Sequence, residues 1–194
     1  MKKGRLEAFS DGVLAIIITI MVLELKVPHD SSPEVLKKLF PIFLSYLLSF
    51  IYIGIYWNNH HHLLLAVHNI NAKVMWANFN LLFWLSLVPF ATGWMGENNF
   101  ATWPVAFYGF IMFMAGVAYY ILAHALIDLH GRTSTLAQAI GRDWKGITSI
   151  LTYVAGIAIA FYNAWISLAL YAFVAILWFI PDKRIEEKLH KQSE

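Results

Sequence analysis

The sequence predicts an all-α integral membrane protein with six transmembrane helices and both termini on the cytoplasmic side. Three observations carry this. The chain is 59% hydrophobic and only 13% charged, where soluble domains carry about a quarter charged residues. Six apolar runs approach or reach the roughly 17–25 residues that a spanning helix needs. The basic residues fall almost entirely on one side of the membrane these runs imply.

Composition also narrows the function classes. Aromatic residues make up 16% of the chain, with eight Trp, as suits side chains that sit at membrane interfaces against lipid. A soluble core of 194 residues could not hide this much apolar surface. The absence of Cys excludes disulfides, thiolate metal sites and cysteine nucleophiles. A net charge of +2 with no basic arm gives nucleic acid nothing to bind.

The expected spans are about 10–27, 39–61, 74–95, 104–126, 146–162 and 164–180, in a six-helix transmembrane unit of residues 1–181. A charged tail, 182–194, follows, with Ile185 and Leu189 one helical turn apart, and reads as a solvated helical extension. The first run resembles a signal peptide, but Lys26-Val-Pro-His-Asp30 stands where a small-residue cleavage site would be, so the helix is read as retained. Pro28 and Pro181 mark the ends of helices one and six, and Pro104 the start of helix four. The last two runs meet at Asn163. Joined, they would be about 35 residues long and exceed any bilayer core, which predicts a tight turn near Tyr162-Asn163. With the N-terminus inside, Lys2, Lys3, Arg5, Lys73, Arg132, Arg142, Lys145, Lys183, Arg184, Lys188 and Lys191 are cytoplasmic. Only Lys26, Lys37 and Lys38 face outward, which obeys the positive-inside rule.

Helix one is the informative element. At 100° per residue, Gly12, Ile16, Thr19, Ile20 and Leu23 share one side within about 80°. Copies of this helix around an axis would stack rings of branched aliphatics around one ring of hydroxyls. Apolar rings filter by demanding dehydration, and a Thr ring can replace part of a cation's water shell. The same pattern is also an ordinary helix packing seam. Asp11 points away from the stripe and is expected to be buried against neighbouring helices. There it is either a structural knot at the helix start, with Ser10 as a cap, or a proton relay. Glu24 lies on the flank of the stripe, either concentrating cations at a mouth or facing headgroups and solvent.

Trp57-Asn58-Asn59-His60-His61-His62 invites a metal assignment, but consecutive helical side chains diverge by 100° and cannot grip one ion. This segment is instead a polar girdle at the cytoplasmic end of helix two. One His turned inward would put Trp57, His60 or His61 at the level of Asp11. In helix three, Asn78 is expected to bond across helices and Pro89 to kink the chain. Helices four to six read as scaffold and lipid face. No enzyme activity is expected, since His60–His62 offers the one cluster of chemistry-bearing groups. The competing function is a secondary transporter or a proton-coupled membrane protein using Asp11, although repeats and broken helices are absent from the pattern.

The run Arg5-x-x-x-Phe9-Ser10-Asp11-Gly12-Val13-x-Ala15-Ile16-x-x-Thr19, ending near Leu23-Glu24 and Pro28, resembles the first helix of the TMEM175 family. Tyr56-Trp57-x-x-His60-His61 and Ser86-Leu-x-Pro89-Phe90-x-Thr92 extend the likeness. That family comprises potassium channels of endolysosomes and their prokaryotic relatives, without the usual Thr-Val-Gly-Tyr-Gly filter. This chain also lacks that filter. The resemblance implies a non-canonical homotetrameric cation channel, with one six-helix unit per chain and a pore lined by helix one. It implies permeant potassium and other monovalent cations, no cofactor, and a prokaryotic plasma membrane. By the family pattern Ile16 forms the constriction, with Thr19, Ile20 and Leu23 along the pore and Glu24 at its mouth. Arg5, Phe9, Ser10 and Asp11, with Trp57 and His60 or His61, would support gating.

Overall fold

The computed structural model describes residues 3–28, 31–131, 133–140 and 143–179. They fold into eight helices: α1 (Lys3–Val22), α2 (Pro33–Leu65), α3 (Ala72–Ser86), α4 (Val88–Glu97), α5 (Thr102–His130), α6 (Thr135–Ile140), α7 (Trp144–Ala160) and α8 (Ala164–Phe179). Three segments are long and apolar enough to cross a membrane by length and composition: α2, α3 with α4, and α5. The helices α7 and α8 are apolar but shorter.

Local chemistry sets most boundaries. Pro33 opens α2, where its missing N–H leaves no bond unmade. Asn71 caps α3 by accepting from the Val74 N–H at 2.9 Å. Asp143 does the same for α7 through Gly146, at 2.9 Å. The tight turn expected at Asn163 is present, and its Oδ1 accepts from the Trp165 N–H at 2.9 Å to start α8.

Several expectations need correction. Helix one begins at Lys3, not near Ser10, and ends at Val22. Ser10 and Asp11 therefore lie inside the helix and do not cap it. Leu23 and Glu24 follow in a tighter turn, donating to the Ile20 and Met21 carbonyls at 3.0 and 3.2 Å. The helix starting at Pro33 precedes the expected span by six residues. The kink expected at Pro89 is present: the third span is interrupted at Leu87, because Pro89 supplies no N–H and clashes with the preceding turn. The expectations for Lys2, Arg132, Arg142, Pro181 and the whole 182–194 tail fall outside the described residues.

The bundle is centred on α5, which packs against α3, α4, α7 and α8. Tyr171 of α8 is fully buried and passes over Gly156 of α7, where a Cβ would come within 2.5 Å of its ring. Any larger residue at Gly156 would force α7 and α8 apart. By contrast, α1 sits at the margin of the bundle, against α2, α3 and α4.

Candidate functional site

Helix α1 has two unlike faces. Leu6, Ser10, Leu14, Ile17 and Met21 are buried against α2, α3 and α4. Ile16 is 58% exposed, Ile20 45% and Leu23 73%, and Gly12 and Thr19 are exposed with them. The stripe grouped by helical phase is thus the side that the chain leaves uncovered. Thr19 Oγ1 donates to the Ile16 carbonyl at 2.9 Å. Its proton is occupied there, so the hydroxyl lone pairs remain as acceptors on the open side.

Between this face and the α3–α4 break runs a groove of about 450 Å³, bordered by Ile16, Ile20, Glu24, Ser86, Pro89 and Phe90. Half-buried Glu24 lies across Gly93 of α4, where a Cβ would come within 2.8 Å of its carboxylate. Gly93 thus gives the carboxylate its place at the end of the groove.

The buried face carries the polar chemistry. Ser10 is fully buried and donates to the Leu6 carbonyl at 2.9 Å. It accepts from the Asn78 amide at 2.9 Å. The Asn78 carbonyl oxygen lies 2.7 Å from His60 Nε2, which must carry the proton because that oxygen can only accept. The relay His60–Asn78–Ser10 therefore ties α2 to α3 and α3 to α1 inside the bundle. His60 Nδ1 is buried without a partner among the described residues.

A second set of contacts lies nearer the surface. Trp57 Nε1 donates to Asp11 Oδ1 at 3.0 Å, and His61 Nδ1 lies 3.2 Å from Glu7 Oε1. The Trp57 and His61 rings stack at 6.2 Å. Phe9, half exposed, packs edge-on against Phe79 at 5.5 Å.

The structure thus brings Phe9, Ser10, Asp11, Trp57, His60 and His61 to one junction between α1, α2 and α3. Arg5 is exposed on α1 and makes no hydrogen bond to this junction among the described residues. Asp11 is half-buried, not buried as expected; Ser10 takes the interior position. Ser10 shares the helical phase of buried Leu6, Leu14, Ile17 and Met21, and Asp11, 100° away, falls at the edge of that face. Sequence reasoning gave Asn78 a cross-helix bond but not its central place, and missed Glu7 and Gly93. A lone amide in an apolar helix was the available signal for Asn78. Among the described residues no group of three ligating side chains could hold a metal ion.

Comparison with known proteins gives these features a family. The profile of the endosomal/lysosomal potassium channel TMEM175 matches residues 5–89. A potassium channel of Chryseobacterium sp. (strain P1-3) is 56% identical over 189 residues, covering 97% of this chain and 98% of that protein. The crystal structure of a lysosomal potassium-selective channel TMEM175 homolog from Chamaesiphon minutus superposes with a TM-score of 0.80 at 30% identity, covering 93% of this chain and 97% of that one. The endosomal/lysosomal proton channel TMEM175 of Danio rerio is 38% identical over 79 residues, 34% of this chain and 15% of that protein. An integral membrane protein with a near full-length relative of this kind is placed by it: the chain belongs to the TMEM175 family of ion channels.

Proposed function

We propose that this chain forms a homotetrameric, potassium-permeable cation channel in a prokaryotic plasma membrane, with α1 lining the pore. The observation that carries the proposal is the uncovered apolar stripe of Ile16 and Ile20 on α1, continued by Leu23 in the turn beyond, on a helix whose opposite face is packed. One such helix cannot enclose a path, so closure requires a symmetric ring of copies. The full-length relative of Chryseobacterium is named a potassium channel, and the structural neighbour of Chamaesiphon a potassium-selective one.

In this arrangement each Ile16 contributes to an apolar constriction that an ion crosses only by shedding water. Thr19 turns oxygen lone pairs toward the axis one helical turn further on and offsets part of that dehydration. Leu23, in the turn beyond α1, narrows the outer end. Glu24 supplies a carboxylate that raises the local cation concentration at the mouth. The junction of Phe9, Ser10, Asp11, Trp57, His60 and His61 sets the tilt of α1, so that changes in it reach the constriction. Arg5 acts at the cytoplasmic edge of the same helix. Passage is passive and uses the hydrophobic ring in place of a carbonyl filter.

Six crossings with both termini cytoplasmic follow from the positive-inside distribution, with α3 and α4 together forming one crossing. Their break is a kink, since the Ala91 N–H still reaches the Leu87 carbonyl at 3.1 Å. That continuity weighs against the unwound midplane helix of a secondary transporter. A proton-coupled protein using Asp11 is the second possibility, favoured by the half-exposed Asp11 carboxylate and by the proton-channel name of the Danio rerio relative.

Reversal potentials of the purified protein in liposomes test the proposal. Under opposed potassium and chloride gradients the reversal is expected near the potassium potential, with large currents that need no second ion. A reversal that follows only the pH gradient would favour the proton pathway. Strictly coupled flux would overturn the channel.

A further inference from the structure

A second cavity lies away from α1, enclosed by α2, α5, α7 and α8. Its walls are the rings of Tyr56, Tyr119, Tyr153 and Trp178, with Asn59 and Asp143 at the polar end. The cavity has a volume of about 50 Å³, several times the roughly 10–15 Å³ that one water requires. Gly116 leaves one wall bare, and a Cβ placed there would meet nothing nearer than 3.9 Å.

The rings are held rigidly. Tyr119 stands edge-on to Tyr56 at 6.2 Å and to Trp178 at 6.3 Å. Most polar ends are already bound: Trp178 Nε1 donates to Ser149 Oγ at 2.8 Å, and Tyr119 donates to the Asn59 carbonyl at 3.4 Å. Tyr56 differs. It is only 9% exposed, its hydroxyl lies beside Gly116, and it has no hydrogen-bond partner among the described residues. A buried hydroxyl that faces a cavity and makes no hydrogen bond within the described residues can bond a polar ligand.

The surrounding chemistry selects the ligand's charge. Aromatic faces attract cations, most strongly where water is excluded. Asp143 uses Oδ1 to cap α7, and its second oxygen makes no hydrogen bond among the described residues. Lys145 Nζ lies 5.8 Å from the Trp178 ring centroid and is not part of the cavity lining. We propose that the cavity walled by Tyr56, Tyr119, Tyr153 and Trp178, with Asp143 at its mouth, binds a small organic ammonium ion at a site separate from α1. A bound ion would link α2, α5 and α7 and so stabilise the folded protein by mass action.

Choline tests this, with its neutral isostere 3,3-dimethylbutan-1-ol as the control, by calorimetric titration and thermal shift of the purified full chain. Choline is expected to bind saturably in the millimolar range, and the alcohol at least about tenfold more weakly. Gly116→Leu, which fills the cavity from its open wall, should abolish choline binding. Asp143→Asn keeps a good helix cap and should weaken binding about tenfold. The second variant decides the matter if the first fails to fold. No choline binding to the wild type, equal binding of the alcohol, or binding that survives both substitutions would overturn the proposal. Survival of both would place the ion elsewhere, as on the face of α1.

Discussion

The first half of the chain, α1 to α4, and the second half, α5 to α8, share a bundle but use their polar groups in different ways. In the first half, Ser10, Asn78 and His60 form a buried relay between three helices, and the outer face of α1 stands uncovered. In the second half, tyrosines and small residues fill the interior, as where Tyr171 crosses Gly156, and hydroxyls bond to backbone carbonyls, across helices at Tyr119, Ser167 and Tyr171 and one turn back at Ser149 and Thr152. The TMEM175 profile matches only residues 5–89. The contrast teaches that the matched range coincides with the half that carries the junction behind α1, while the likeness to the Chryseobacterium relative runs through both halves.

The largest effect that would break this contrast is expected at Asn78. Asn78→Ala removes two buried hydrogen bonds and leaves Ser10 and His60 facing each other without a bridge. The expected loss is about 2–4 kcal/mol, measured as a clearly lower unfolding temperature in detergent. An unchanged temperature would mean that the relay does not hold the halves of the junction together.

Conduction should discriminate the two halves next. Ile16→Asn is expected to wet the constriction, raising potassium conductance about tenfold and lowering selectivity over sodium. Leu151→Asn, at a 65%-exposed position on α7, should leave conductance per channel as it is. Equal effects at both positions would erase the difference between the halves.

Asp11 sharpens the comparison within the junction. Asp11→Ala removes the Trp57 partner at a half-exposed position and is expected to lower stability by about 0.5–1.5 kcal/mol and to alter gating. Asp11→Asn, which keeps an acceptor for Trp57, should retain most of the stability. Identical losses in both variants would instead tie the effect to the charge.

The smallest effect belongs to Lys26 and Glu97. Hydrogen bonding to Glu97 and its charge hold the Lys26 proton above the ordinary lysine range. The pair is open to water, however, with side chains 74% and 45% exposed. Lys26→Ala should therefore leave the unfolding temperature unchanged within error.

Much of this was legible in the sequence because periodicity is local. The phase of Gly12, Ile16, Thr19, Ile20 and Leu23 follows from position alone, and so do the turn at Asn163 and the break ahead of Pro89. The interior partners were not legible to the same degree. Which of Ser10 and Asp11 is buried depends on which neighbours α1 meets. A helical wheel gives relative angles but no contacts. Gly93 under Glu24 and Glu7 beside His61 are likewise meetings between distant segments, to which no local spacing points.

The central claim, that the uncovered stripe of α1 is the pore wall, can be tested directly because the chain contains no Cys. Single cysteines at Ile16, Thr19, Ile20 and Leu23, and at Leu14, Ile17 and Met21, would be exposed to a charged, water-soluble thiol reagent during current recording. Rapid modification that changes the current at the first four positions and not at the last three is the predicted result. Modification of the buried set with a silent stripe would contradict it, and would return the exposed face of α1 to lipid.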